Sequence, residues 1–368
     1  MKVSMADWKA TRKQKRLVKE VLESGRLTYG DKTRELEECF AAIHVAEKAL
    51  FTSSGTSALK IAIHALKDKY GWQDGDEVII PAVTFVATMN VVIMNNLKPV
   101  LVDVLPSTVN IDPVEIEKAI TKKTVAIIPV HLLGQPADMG AVMKIAKKHK
   151  LQVIEDSCET MFVNKIKGDV ACFSTYLAHL LVTGIGGFIT TNDTELATVM
   201  RSMMFHGRDE SYLTIDDKPK DISKRFWFPR FGYSDRMTEM EAALGLGELD
   251  GWEDMIAKRQ TNANYLMTEL YWEQAITFPV TNVFNHSFMF FPMLVLDRDK
   301  LMLHLEERGI QTRTMMPLTN QPVTQPYLTR EYPVAQYVND HGLLIGCHQY
   351  LKKKDLDFIV KSIKEFYV

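Results

Sequence analysis

Four short segments hold the residues best suited to chemistry. The first is Ser53-Ser54-Gly55-Thr56-Ser57. A glycine and hydroxyls where a strand gives way to a helix offer free N–H groups and a favourable dipole to an anion. The plainer role is an N-cap. The second, Pro81-Ala82-Val83-Thr84-Phe85, sets an aromatic just past a strand end. There it can stack on a flat ring or simply join the core. The third, Glu155-Asp156-Ser157-Cys158-Glu159, follows an apolar strand. A carboxylate buried there can pair with a protonated ring nitrogen and hold it charged; one left in water would only cap a helix. The fourth runs from Ser174 to Gly187 and contains His179. An imidazole can take or give a proton near neutral pH, although a histidine considered alone is more often structural.

The elements that must position these segments alternate in type. Apolar, strand-like runs cover Ala49 to Thr52, Glu77 to Ile80, Val100 to Val104, Val125 to Val130, Gln152 to Glu155, Val170 to Phe173 and Gly187 to Thr191. Helical patterns lie between several of them, as from Thr56 to Ala65 and from Ala137 to His149. Such alternation predicts a mostly parallel sheet covered on both faces. Ligands of such sheets bind beyond the carboxyl ends of the strands, where all four segments fall. Beyond Arg236 the pattern changes. A helical region from Met237 to Leu270 is expected to break near Gly245, Gly247 and Gly251. One or two strands around Phe288 to Leu296, a helix from Asp299 to Arg308 and a closing helix from Lys354 to Phe366 follow. The expected division is a large domain, 1–250, and a small one, 251–368, with the N-terminal helix packed on the small one.

Composition excludes several classes. The 368 residues are 46% hydrophobic and 24% charged, which fits neither a disordered chain nor a fibre. Lys plus Arg number 44 and Asp plus Glu 46, for a net charge of −2. A near-neutral chain has no global footprint for nucleic acid. No apolar run approaches the ~20 residues of a membrane helix. The basic N-terminus lacks the apolar core of a secretory signal. Cys39, Cys158, Cys172 and Cys347 are too scattered for a zinc ribbon or an iron–sulfur cluster. Free thiols fit a reducing cytoplasm.

In this order the four segments resemble those of the DegT/DnrJ/EryC1/StrS sugar aminotransferase family. The text between them is similar too: GDEVIIPAVTFVAT, KPVLVDVLPSTVNIDP, AIIPVHLLGQPADM and GYSDRMTEMEAALG. The resemblance implies an α/β, aspartate-aminotransferase-like chain (PLP fold type I). Its large domain would carry a mostly parallel seven-stranded sheet, beside a smaller α+β C-terminal domain. It also implies pyridoxal 5′-phosphate or pyridoxamine 5′-phosphate as cofactor and a nucleotide-linked keto sugar as substrate. Glutamate as amino donor and a homodimer with shared active sites complete the expectation. Carried over, Gly55, Thr56 and Ser174 hold the cofactor phosphate, Phe85 stacks on its ring, Asp156 pairs with the ring nitrogen and Glu159 is a further cofactor contact. Ser234 stands where the family has an asparagine that reaches a neighbouring subunit's cofactor phosphate.

One departure bears on the chemistry. Where the family's aminotransferases carry the lysine that bonds the cofactor, this chain has His179, and no lysine occurs between Lys167 and Lys218. An imidazole forms no stable imine but can move protons. This resembles a branch of the family, the GDP-4-keto-6-deoxy-mannose 3-dehydratases, and implies C3 dehydration with Asp156 and His179 as catalytic residues. Two other readings stay open: amino transfer with the lysine replaced or engineered away, and a non-catalytic binding protein on this fold. Isoleucine 185 replaces the glutamate of the family's TGEGG. His131 is read as either a cavity residue or a satisfied core histidine, and Arg313 as a surface arginine by default. The charged, aromatic-rich segment Asp209 to Pro229 is expected to cover the site or meet a neighbouring subunit.

Overall fold

In the computed structural model, which describes residues 3–28, 30–163, 165–208, 224 and 226–368, the seven apolar runs do form one sheet. Most of the segment Asp209 to Pro229 lies outside the described residues. Helices α1 (Arg12–Ser24) and α2 (Asp31–Ile43) lead into β1 (Lys48–Thr52) and α3 (Gly55–Tyr70). Then come β2 (Glu77–Pro81), α4 (Val86–Met94), β3 (Lys98–Val102), α5 (Pro113–Ala119), β4 (Thr124–Ile127), α6 (Met139–His149) and β5 (Gln152–Asp156). The strands β6 (Val170–Ser174) and β7 (Gly187–Thr191) follow, with α7 (Thr194–Met204) and α8 (Glu239–Leu249) after them. The sheet order is β1-β7-β6-β5-β4-β2-β3. All neighbours from β3 to β6 run parallel, while β7 is antiparallel to both β6 and β1.

Every position of β2, β6 and β7 is buried, as expected for strands covered on two faces. One face holds Leu59 and Ile63 of α3 over Ile80 and Ile154. On the other, the Phe40 and Phe188 rings stack with centroids 3.8 Å apart, and Phe51 stacks on Phe188 at 4.7 Å. Two strands end earlier than the sequence pattern suggests. Val104 and Val130 lie past β3 and β4 and make only isolated bridges, to Ile111 and Asp156.

The rest of the chain builds a second sheet. Helix α9 (Trp252–Leu270) is followed by β8 (Ile276–Thr277), β9 (Phe291–Val295), α10 (Arg298–Glu307), β10 (Thr312–Thr314), α11 (Pro333–His341), β11 (Gly342–Ile345) and α12 (Lys353–Phe366). The order is β10-β11-β9-β8, antiparallel throughout. The sequence pattern showed one or two of these strands, because β8 and β10 are too short to display a period. Leu266, Leu301, Ile359 and Ile363 form its core. We place the division into 1–250 and 251–368 at Gly251. Helix α9 nevertheless serves both cores: Met255 and Ile256 pack with the first, Ala263 and Leu270 with the second. Helix α1, expected on the second unit, packs on α8 instead. It is Val3 that reaches the second sheet, donating to Gly309 O at 2.8 Å.

Gly245 and Gly247 do not interrupt α8, contrary to the sequence expectation; they let neighbouring helices come close. A Cβ on Gly247 would lie 2.4 Å from Gln14 Cγ and 3.0 Å from Gln14 N. Gln14 is itself buried and donates through Nε2 to Glu248 Oε2 at 2.7 Å. Alanine is a better helix former than glycine by roughly 1 kcal/mol, but overpacking costs about 1–3 kcal/mol. Gly247→Ala is therefore expected to lower the urea midpoint without changing the slope. A raised midpoint would show that helix propensity outweighs the clash.

Candidate active site

The sheet register fixes the site. Asp156 pairs with Cys172, and Ser174 with Gly187, so the ends of β5 and β6 lie side by side. Thr52, at the end of β1, also pairs with Gly187 and hands the chain to α3. This edge of the sheet opens into a cavity of about 340 Å³. The second unit supplies the facing wall, with Met289, Phe290, Arg313 and Met316.

The α3 end of the cavity is an anion cradle. Ser54 caps the helix, accepting from Ser57 N at 3.0 Å. The amides of Gly55 and Thr56 have no acceptor among the described residues. Free first-turn amides and the helix dipole favour a bound anion. Gly55 lets the start of α3 pack close to the ends of β5 and β6: a Cβ there would sit 2.6 Å from Cys158 Sγ and 2.9 Å from Ser174 Cβ.

Asp156 is buried at the base of the cavity. The Thr88 hydroxyl donates to its Oδ2 at 2.8 Å, and Cys158 N–H to its Oδ1 at 3.2 Å. Thr84 stands behind Thr88, with the two hydroxyls 2.8 Å apart. Burial nevertheless raises the pKa of Asp156, since these hydrogen bonds only partly offset the lost water. Phe85 caps the backbone of α4 and keeps 52% of its surface open, with its ring on the cavity. Glu159 accepts from Leu133 N at 2.8 Å, and burial, with the charge of Asp156, pushes its carboxyl up to about 7.

His179 follows β6 in a turn held at both ends. Thr183 N donates to Thr175 O at 3.0 Å, and their hydroxyls meet at 2.6 Å. The imidazole lines the cavity. Its Nδ1 is shut from solvent with no well-formed hydrogen bond. Burial lowers its pKa to about 4, against a small opposing pull from the backbone at Cys158 and Ser174. No lysine lines the cavity among the described residues. Lys165 and Lys167 are exposed before β6.

Gly55, Thr56 and Phe85 thus share one cavity with Asp156, Glu159, Ser174 and His179. Ser234 does not join them. It lies in a separate hollow, where its Oγ accepts from Arg236 Nη2 at 3.1 Å. Arg313, read from sequence as a surface residue, is exposed and also lines the cavity. Thr88, Tyr176, Met289 and Phe290 also lie on it and were not singled out from sequence. Only Thr88 left a signal: it stands one helical turn past Thr84.

His131 belongs to the core. Its Nδ1 accepts from Ala137 N at 3.0 Å, so the proton sits on Nε2, which donates to Glu155 Oε2 at 2.7 Å. Glu155 is fully buried. Burial alone would raise its pKa, but His131 and the amides of Gly168 and Lys167 bring it below the usual value. Replacing Glu155 by alanine strands these donors and should cost about 3–5 kcal/mol, read by urea denaturation. A loss under 1 kcal/mol would mean that water replaces the carboxylate.

Residues 9–364 match the model of the DegT/DnrJ/EryC1/StrS aminotransferase family. The chain belongs to that family. It is 35% identical to a pleiotropic regulatory protein of Geobacillus stearothermophilus, over 96% of this chain and 94% of the other. It is 32% identical to GDP-perosamine synthase of Caulobacter vibrioides, over 91% and 90% of the two chains. A solved GDP-4-keto-6-deoxymannose-3-dehydratase with a trapped PLP-glutamate geminal diamine superposes with a TM-score of 0.91 at 26% identity, covering 98% of this chain and all of that one. The fold is that of the PLP fold type I aminotransferases, and members of the family are PLP-dependent sugar aminotransferases. The cradle at Gly55, the buried carboxyl of Asp156 and the unpartnered Nδ1 of His179 fit such a cofactor. Among the described residues no helix is long and apolar enough to cross a membrane.

Proposed function

We propose that this protein removes the C3 hydroxyl of a nucleotide-linked 4-keto-6-deoxy sugar, with pyridoxamine phosphate held non-covalently and His179 as the base. The observation that carries this reading is an imidazole, rather than an amine, on the cavity wall beside Asp156. Pyridoxamine phosphate, when bound, supplies an amine for the keto group and a protonated ring that accepts electrons. Gly55, Thr56 and Ser174 hold its phosphate, Phe85 covers one ring face, and Asp156 keeps the ring nitrogen protonated. Glu159 meets a polar edge of the ring. His179 is neutral at pH 7, because burial holds it near 4. It takes up a proton on a ring nitrogen and returns it to the hydroxyl leaving C3. Imidazolium is disfavoured in this cavity, so the proton is passed on rather than kept.

Deoxygenation at C3 consumes the amine as ammonia, so an amino donor must restore it; glutamate is that donor in this reading. The protein works as a homodimer, with Ser234 turned toward the partner's cofactor phosphate. The 32% identity to GDP-perosamine synthase favours amino transfer as a second reading, but that chemistry needs a side-chain amine on the cavity. The test is to load purified protein with pyridoxamine phosphate and offer GDP- and CDP-linked 4-keto-6-deoxy sugars. Ammonia and 3-deoxy sugar are expected in equal amounts. An amino sugar without ammonia would establish the second reading instead.

A further inference from the structure

Arg259, on α9, is 3% exposed, and its guanidinium donates to neutral oxygens. Nη1 donates to Phe288 O at 2.9 Å and to Met289 O at 3.1 Å, and Nε donates to Gln349 Oε1 at 3.1 Å. Burial pulls its pKa down to about 10, against smaller pulls from Cys347, Tyr350 and Glu248, so it is still charged at neutral pH. A charge taken out of water and given no carboxylate serves a fold less well than an apolar side chain of similar volume. Stability alone therefore does not account for Arg259. The segment it grips does, because Met289 and its neighbour Phe290 both line the cavity.

The gripped segment is also locked to the first unit. Met289 N donates to Leu133 O at 3.1 Å, and Ser287 N to Gly134 O at 2.8 Å. Leu133 N in turn donates to Oε2 of Glu159, which lines the cavity. Hydrogen bonds thus link Arg259 through Met289 and Leu133 to Glu159. Two residues of this joint take left-handed backbone angles, Leu133 with φ 58° and Phe288 with φ 46°. Such angles are rare for bulky residues and persist only where the surroundings hold them. Gly134 lets the two loops meet: its φ is 109°, and a Cβ there would lie 2.5 Å from Phe288 N.

We infer that Arg259 is a positioning residue of this cavity: through Met289 and Leu133 it braces the second unit's wall against Glu159, so that cofactor bound beside Glu159 also fixes the wall that the other substrate meets. The brace does not depend on the proposed function; only the sugar nucleotide, as the ligand meeting Met289 and Phe290, rests on that reading. Hydrogen exchange read by mass spectrometry tests it on peptides covering 131–137 and 284–291, with and without pyridoxamine phosphate. Arg259→Leu removes the grip. Arg259→Lys keeps the charge but loses the planar fork that reaches several oxygens at once.

In Arg259→Leu, exchange over 284–291 should rise roughly 10- to 100-fold, the worth of a charged hydrogen bond, while β6 and β7 keep wild-type rates. Arg259→Lys should fall between the two. In the wild type, pyridoxamine phosphate should slow both peptides; in Arg259→Leu it should slow 131–137 alone. Its affinity by calorimetry should stay within a few-fold, because Gly55, Phe85 and Asp156 all belong to the first unit. Wild-type exchange over 284–291 in both variants overturns the inference. So does an equal rise across the whole second unit, which a merely structural residue would give. If Arg259→Leu does not fold, Arg259→Lys carries the test through a rise confined to 284–291. With the sugar, KM should rise while kcat holds, as for lost uniform binding. If no protein forms 3-deoxy sugar yet the exchange pattern is as stated, the dehydratase reading fails and the brace stands.

Discussion

His179→Asn is expected to reduce release of ammonia and 3-deoxy sugar by about 10²- to 10⁴-fold, the usual worth of a positioned acid–base group. Pyridoxamine phosphate should bind the variant within a few-fold of the wild type, because the cradle at Gly55 and the carboxyl of Asp156 are untouched. Asparagine fills similar space and can hydrogen-bond, but it cannot carry a proton between carbon and oxygen. The pH profile gives an independent reading. A base works only in its neutral form, and burial holds His179 near 4, below the usual 6.5. The part of the acid limb set by His179 should therefore lie near pH 4 rather than 6.5, read at saturating cofactor so that protonation of Asp156 does not enter through binding. An acid limb near 6.5 that disappears in Glu159→Gln would belong to that carboxyl, held near 7; one that persists would mean that the working imidazole is solvated.

The complementary variant, His179→Lys, puts a primary amine at the same point. It is expected to yield a cofactor absorbance band that persists through gel filtration and disappears with borohydride, together with a gain in amino transfer. If His179→Asn left product formation unchanged, the base would have to be sought elsewhere.

The legible part of this site was the part set by local order. Asp156 and Ser174 each end an apolar run, and parallel strands must bring such ends to one edge. Gly55 could be read because a helix start leaves free amides. Arg313 could not: its place depends on the pairing of Pro317 with Val83, residues far apart in the chain. Ser234, named from its segment, lies apart from the cavity in a hollow of its own, a placement that no local pattern announces. Gly245 and Gly247 were misread because local propensity counts glycine as a breaker. Tertiary packing decided otherwise, with Leu36 and Gln14 filling the space a side chain would need. The short strands β8 and β10 owe their form to neighbours on β9 and β11 rather than to any pattern of their own.

The largest effect on cofactor chemistry is expected from Asp156→Asn. Asp156 is 4% exposed, and its carboxylate accepts hydrogen bonds from Thr88 and Cys158. Burial raises its pKa, so a negative charge there is held at a cost until a cation arrives. A protonated pyridine nitrogen is such a cation. The sign of the pH effect follows: a group with a raised pKa gains its proton earlier as pH falls. Cofactor affinity should therefore be steady near neutrality and begin to weaken above the pH at which an ordinary aspartate would titrate. Asparagine removes the charge altogether. Losing one partner of a buried pair costs about 3–5 kcal/mol, which is roughly 100- to 5000-fold in rate. The bound cofactor should also show the absorbance of an unprotonated ring. Thr88→Val offers a graded comparison, since it removes one charged hydrogen bond worth about 1.5–3 kcal/mol and leaves the carboxylate. Its loss should be smaller than that of Asp156→Asn, and the ring should stay protonated. Wild-type turnover in Asp156→Asn would mean that the ring stores no electrons during the reaction, and the dehydration chemistry would then require another sink.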